Sequence, residues 1–117
     1  QQAEQGKRPY FISRSDRQPF AMAGLWDQWT KDSGSPLRSC TVITVPASPF
    51  MQRLHHRMPV LMDWDAGKQW LEPAAASQQL TQLLLHGHPI PLQAWQVSRQ
   101  VNNPINDSAD LVAPVAA

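Results

Sequence analysis

The sequence contains little cysteine and no long apolar run. Its single cysteine among 117 residues cannot form an internal disulfide, which is typical of a protein in a reducing compartment. No apolar run reaches the length of a membrane span, and the polar first residues lack the pattern of a signal peptide. We therefore expect a soluble cytoplasmic protein that makes no contact with a membrane.

An excess of charge of one sign is also absent. Ten lysine and arginine residues stand against nine acidic residues, for a net charge of +1. The chain thus lacks the overall basic character of many nucleic-acid-binding proteins, although a local basic patch stays open. The sequence also lacks a glycine-rich phosphate loop, a paired-acid motif and a Gly-x-Ser-x-Gly elbow. These absences argue against P-loop nucleotide binding and against a serine hydrolase.

Proline and tryptophan are abundant instead. Eleven prolines and five tryptophans favour short elements joined by fixed turns over a helical bundle. Hydrophobic periodicity and capping residues give the expected order of elements. It consists of two strands forming a hairpin (8–14 and 19–26), a buried central strand (37–45), a short helix after Ser48, a strand (60–62), helices capped by Asp63 and Ser77, a strand (93–98) and a last short strand (111–112). This order predicts an α+β fold with mostly antiparallel strands.

Several residues outside the central motif could take part in chemistry but also have ordinary structural explanations. His86 and His88 could approach a metal ion, but a zinc site needs three or four ligands, and a helix C-terminus with favourable dipole placement explains the pair better. Cys40 lies within the apolar predicted strand, where a buried thiol is expected rather than a reactive one. Trp26 and Trp29, near a polar loop, are the better candidates for stacking on bases.

The segment Leu54-His55-His56-Arg57-Met58-Pro59 brings titratable groups, a permanent cation and a rigid turn together. One interpretation is a solvated turn at the end of a short helix. The other makes His55 a proton shuttle, because imidazole gains and loses a proton near neutral pH. In that interpretation Arg57 anchors a phosphate, for which the planar guanidinium is suited. Spacing alone leaves both interpretations open.

Five segments together strongly resemble the SRAP family, the SOS-response-associated peptidase-like proteins that process abasic sites. His55-x-Arg57-Met58-Pro59 matches the signature of this family. The other segments occur in the family's order and at its approximate spacing: Pro9-Tyr10-Phe11-Ile12, Phe20 to Trp26, Thr41 to Ser48, and Trp95-Gln96-Val97-Ser98 leading to Val101-Asn102-Asn103. The resemblance covers nearly all of the 117 residues.

The resemblance implies a role at abasic sites in single-stranded DNA. In the family, an N-terminal cysteine attacks the ring-opened sugar aldehyde and forms a stable thiazolidine crosslink, and an asparagine and a glutamate from earlier motifs shape the site. His55 matches the family's catalytic histidine, Arg57 an arginine near the DNA backbone, and Thr44 the end of the strand facing the same pocket. The family name also implies a self-processing peptidase activity. No cofactor and no metal are implied.

The departures from the family pattern concern the first part of the domain. The sequence starts with Gln1 rather than cysteine, and the asparagine and glutamate motifs are absent. We therefore interpret residues 1–117 as the C-terminal part of a single, barrel-like SRAP domain that has no nucleophile of its own. The expected partners are single-stranded DNA with abasic sites, in the cytoplasm or nucleoid, and the missing N-terminal half, in cis or as a separate chain. The alternatives are a non-catalytic single-stranded DNA-binding remnant and a small metal-dependent hydrolase.

Overall fold

The computed structural model describes residues 7–32, 34–86 and 89–115. The strands are β1 (Tyr10–Arg14), β2 (Ala21–Met22), β3 (Gly24–Trp29), β4 (Leu37–Val42), β5 (Thr44–Pro46), β6 (Arg57–Pro59), β7 (Leu61–Met62) and β8 (Leu92–Gln96). The helices are α1 (Trp64–Trp70) and α2 (Ser77–His86), with 3₁₀ helices at Met51–Arg53, Arg99–Asn102 and Ala109–Val112. The described residues divide into two compact units, one made of those up to 17 and from 91 onward, the other of those between 18 and 90.

The first unit is built on the antiparallel pair β1 and β8. Phe11 lies opposite Trp95 in this pair, and their ring centroids are 5.4 Å apart. The indole Nε1 of Trp95 donates a 2.7 Å hydrogen bond to the carbonyl oxygen of Val112. This bond ties the last 3₁₀ helix to β8. The predicted strand over 93–98 is confirmed, whereas residues 111–112 form the end of a 3₁₀ helix and not a strand.

The predicted hairpin of segments 8–14 and 19–26 is wrong. β1 pairs with β8, and β2 pairs with β7. The intervening turn does form, with the amide of Arg17 donating to the carbonyl of Arg14 over 2.9 Å. Side-chain alternation identifies a strand and its buried face, but it does not specify which distant strand supplies the partner.

Three residues join the strand pairs of the second unit. The amide of Ala23 donates to the carbonyl of Val60, the amide of Val60 to that of Ile43, and the amide of Ile43 to that of Ala23, each over 2.9 Å. Ala23 lies between β2 and β3, Ile43 between β4 and β5, and Val60 between β6 and β7. At each of these residues the chain leaves one strand partner for another. The closed ring of three bonds satisfies the backbone at the point where the pairs diverge.

The predicted central strand over 37–45 is interrupted at this junction. Residues Leu37–Val42 pair with β3, whereas Thr44–Pro46 pair with β6. All of β4 is exposed, and so is Cys40, which corrects the prediction of a buried thiol. A run of β-branched and apolar residues is typical of a buried strand. Here it forms one strand of a two-stranded hairpin, and in the described residues neither strand pairs with any other.

The helices pack beneath the junction. A carboxylate oxygen of Asp63 accepts from the amide of Ala66 over 2.8 Å, which confirms the predicted cap of α1. Helix α2 begins at Ser77 itself, and Leu83 packs into a core formed by Ala23, Val60, Met62 and Ala66. Leu80 and Leu84 are partly buried against the same core, so the predicted leucine stripe is confirmed.

The predicted α+β class with antiparallel strands is confirmed. Within the described ranges the strands pair two by two, and no closed barrel is formed. The barrel-like architecture that the resemblance implied is therefore not seen in this part of the chain. No helix in the described residues is long and apolar enough to cross a membrane.

Candidate functional site

The short pair β5 and β6 carries the predicted site residues. Its register places Thr44 opposite Pro59 and Pro46 opposite Arg57. From the end of β6 the guanidinium of Arg57 reaches back to Thr44, where Nη2 donates to the carbonyl oxygen over 2.9 Å and to the hydroxyl oxygen over 3.0 Å. The two residues that the sequence analysis assigned to DNA binding are thus in direct contact.

Arg57 retains most of its hydrogen-bonding capacity. The two bonds to Thr44 both use Nη2, and a guanidinium carries five N–H donors. In the part of the chain that the structure describes, no residue accepts from Nε or Nη1, and no carboxylate pairs with Arg57. Its side chain is exposed. The remaining donors match the geometry of a phosphate oxygen pair.

His55 is held through one ring nitrogen by the backbone of Arg57. Its Nδ1 lies 3.0 Å from the amide nitrogen and 3.2 Å from the carbonyl oxygen of Arg57. A bare Nδ1 accepts from the amide, and a protonated Nδ1 donates to the carbonyl, so both tautomers find a partner. Nε2 is therefore free to carry either a proton or a lone pair. This arrangement suits a group that must act as an acid and as a base in one cycle.

His56 packs against the ring of His55. The two imidazole centroids are 4.5 Å apart, and the ring planes are inclined by 18°. The carbonyl of His56 accepts from the amide of Ala47 over 3.0 Å, which extends the β5–β6 pairing by one step. His56 thus stacks on the neighbouring ring, while the backbone contact through Nδ1 that holds this ring belongs to His55 alone.

The loop between the two strands is fastened at several points. The predicted helix after Ser48 is a 3₁₀ helix over Met51–Arg53 rather than an α-helix. The hydroxyl of Ser48 accepts from the amide of Met51 over 3.4 Å, and the amide of Ser48 contacts the sulfur of Met58 over 3.3 Å. Met51 is buried, and its carbonyl accepts from the amide of His55 over 2.9 Å. These contacts position His55 on a rigid support.

The other candidates of the sequence analysis stay apart from this loop. Trp26 and Trp29 are exposed on β3. Among the described residues, no three histidine, cysteine or acidic side chains are grouped as a metal site would require. The side chain of His86 and all of His88 lie outside the described residues.

Two surface cavities lie away from the site residues. One, of about 140 Å³, lies beside α1 and is lined by apolar groups including Met22, Trp64 and Leu71. The other, of about 370 Å³, lies in the first unit between Trp95 and the last 3₁₀ helix. Neither is lined by His55, Arg57 or Thr44. His55, Arg57 and Thr44 are all exposed, so the candidate site is an exposed loop surface.

Two features of this site were not found by sequence reasoning. The stacking of His56 on His55 has no spacing signature, because adjacent residues stack only when a tight turn forces them onto one side. The bond between Ser48 and Met58 joins residues ten positions apart. The Thr44–Arg57 contact does have a sequence signal, because two polar residues flank an apolar strand pair. That signal can be used only once the pairing register of the two strands is known.

The fold and the motif can be compared with known proteins. The family described as SOS response associated peptidase (SRAP) matches residues 1–104. The chain belongs to the SRAP family. A solved structure of a protein from Bacteroides thetaiotaomicron has a similar fold, with a TM-score of 0.75 at 23% identity over 95% of this chain and 50% of that one.

Curated SRAP relatives share substantial sequence with this chain. The abasic site processing protein YoaM of Bacillus subtilis is 41% identical over 91% of this chain and 47% of its own length. The abasic site processing protein HMCES of Gallus gallus is 32% identical over 98% of this chain and 40% of its own length. The abasic site processing protein YedK of Escherichia coli is 28% identical over 93% of this chain and 50% of its own length. The chain spans about half the length of the curated relatives that it matches.

Proposed function

We propose that residues 1–117 are the C-terminal part of a single SRAP domain that processes abasic sites in single-stranded DNA by covalent crosslinking. The observation that carries this proposal is the double contact of His55 Nδ1 with the backbone of Arg57. It leaves Nε2 available in either protonation state, beside a guanidinium with unused donors. Relatives that bear the name abasic site processing protein support the substrate.

The proposed chemistry divides the roles between two parts of the domain. At a closed abasic sugar, His55 gives a proton to the ring oxygen while the anomeric hydroxyl gives its proton to a solvent water molecule, so that the ring C–O bond breaks and an aldehyde forms. The aldehyde then condenses with a terminal amine and its neighbouring thiol to give a thiazolidine and one water molecule. The aminothiol comes from the complementary part of the domain. Arg57 holds a flanking phosphate, and Thr44 orients Arg57.

The test reconstitutes the whole domain. This chain is combined with the segment of YoaM that it does not match, and the protein is incubated with a single-stranded oligonucleotide that carries one abasic site. We expect a covalent product on a denaturing gel. His55→Ala should slow its formation by roughly 10²- to 10⁴-fold, the usual range for a lost acid–base group. His56→Asn is the matched control and should retain most of the rate. Absence of a crosslink in the reconstituted protein would contradict the proposal.

A second candidate function is binding of single-stranded DNA without covalent chemistry. The free donors of Arg57 and the exposed rings of Trp26 and Trp29 are features of single-stranded DNA-binding surfaces. This candidate predicts binding that weakens with salt and a loss of affinity on Arg57→Ala, with no covalent product. The metal-dependent hydrolase has no supporting ligand set in the described residues.

A further inference from the structure

The β3–β4 hairpin exposes large apolar side chains on both of its faces. Trp26 is 71% exposed and Leu37 is 60% exposed, and Leu25, Trp29 and Val42 are also exposed. Single exposed apolar residues are ordinary, but contiguous patches mark interaction sites. Five such side chains are concentrated in this one hairpin, which is more than scattered exposure explains.

The pairing register distributes these side chains over two faces. Leu25 lies opposite Thr41, and Trp29 lies opposite Leu37. Trp26, which lies opposite Cys40, is the next residue after Leu25 along β3. Because side chains alternate along a strand, Trp26 points to the other face of the hairpin. An ordinary surface hairpin has one apolar and one polar face. This hairpin has apolar groups on both.

The backbone of the hairpin has unpaired edges as well. Within the described residues β3 and β4 pair only with each other, so their outer edges present unpaired amide and carbonyl groups. Such edges are templates for pairing with another strand. A two-stranded hairpin is also marginally stable in water without further packing. Both the side chains and the backbone therefore require a covering element.

We infer that the β3–β4 hairpin is the docking surface for the complementary segment of the SRAP domain, the part of its relatives' length that this chain does not match. YoaM and YedK extend beyond the matched region by about as many residues as this chain contains. A segment of that size is large enough to cover two faces and to add strands at the edges. This inference rests on the proposed role of the chain as part of a longer SRAP domain.

Cys40 is a built-in reporter for this surface. It is the only cysteine of the sequence, lies in β4 and is exposed. The experiment mixes the chain with the unmatched segment of YoaM, produced separately with its cysteines replaced by serine. Reaction of Cys40 with a maleimide is then followed by the mass of this chain. We expect saturating segment to slow the reaction at least tenfold.

Substitutions on the hairpin provide an independent measurement. Trp26→Asp and Leu37→Asp should each weaken binding of the segment at least tenfold by calorimetry, with the far-ultraviolet circular dichroism of the chain unchanged. Ile105→Asp is the control, because Ile105 is apolar and 86% exposed but lies outside the hairpin. It should leave the affinity unchanged.

Four results would overturn the inference. They are absence of binding, a bound segment that leaves Cys40 fully reactive, an equal loss of affinity with Ile105→Asp, and protection of Cys40 by self-association of the chain without any segment. Abasic DNA is absent from this experiment, so its outcome is separate from the crosslinking test. Protection of Cys40 without crosslinking would retain the docking surface and contradict the proposed activity. Crosslinking with Cys40 unprotected would retain the proposed activity and contradict the docking surface.

Discussion

Arg57 and Thr44 are joined by two hydrogen bonds that share one nitrogen, with Nη2 donating to the carbonyl and to the hydroxyl of Thr44 over 2.9 and 3.0 Å. One of these acceptors belongs to the backbone and cannot be removed by substitution. The other is a side chain. The side of the guanidinium that faces the strand is therefore fixed twice, and the opposite side presents its donors to solvent.

Thr44→Val should weaken DNA binding without unfolding the site. The substitution removes the hydroxyl acceptor, retains the β-branched shape and leaves the carbonyl bond in place, so about 0.5–1.5 kcal/mol of orienting energy is lost. We expect a 2- to 12-fold rise in Kd for a single-stranded oligonucleotide, measured by fluorescence anisotropy. Thr30→Val, at an exposed position outside β5, should have no effect. Equal effects of the two substitutions would contradict an orienting role for Thr44.

Arg57→Ala should reduce the salt dependence of DNA binding. A phosphate contact releases counterions, and each contact to a single strand contributes about 0.7 to the slope of log K against log salt. We expect the slope to fall by about that amount when affinities are measured over a series of salt concentrations. Arg53→Ala removes the same charge from a neighbouring exposed residue, whose guanidinium lies 4.9 Å from the centre of the Phe50 ring. If both variants changed the slope equally, the effect would be one of net charge and not of a phosphate contact at Arg57.

The local structure could be predicted where it depends on neighbouring residues. The cap at Asp63 and the stripe of Leu80, Leu83 and Leu84 follow from contacts within a few positions, and both are confirmed. The predicted turn after β1 also forms, closed by the bond from the amide of Arg17 to the carbonyl of Arg14. Capping and helical periodicity are short-range effects, so a single sequence contains the information that they need.

The strand partners could not be predicted in the same way. β1 finds its partner about eighty residues later, and the segment over 37–45 changes partner at Ile43. Nothing in the local pattern of that segment distinguishes a continuous buried strand from two shorter ones. The prediction that Cys40 is buried was wrong for the same reason. The roles of His55, Arg57 and Thr44 remain predictions, although the structure brings Arg57 into contact with both of the others.

Gly24→Ala should destabilise the chain. A β-carbon at Gly24 would lie 2.9 Å from the backbone carbonyl oxygen of Thr41, which is closer than real contacts of this kind. The backbone of β4 cannot yield cheaply because it pairs with β3 along its length. We expect a loss of about 1–3 kcal/mol, typical of overpacking, measured as a lower urea midpoint followed by tryptophan fluorescence. Gly34→Ala is the control, since the added β-carbon would lie 4.0 Å from the β-carbon of Lys31, and the urea midpoint of this variant should be unchanged or slightly raised.

Arg17→Gly should stabilise the first unit. Arg17 has a φ of 63°, in the left-handed region where a β-carbon crowds the following carbonyl and costs about 1–2 kcal/mol. Glycine removes this crowding but adds conformational freedom to the unfolded chain, so we expect a net gain of about 0.5–1 kcal/mol in the free energy of unfolding. Arg17→Ala separates the backbone effect from the loss of the side chain, because alanine keeps the β-carbon. It should give no gain in the same urea titration. A similar gain from both substitutions would mean that the arginine side chain, and not its backbone conformation, is the source of the strain.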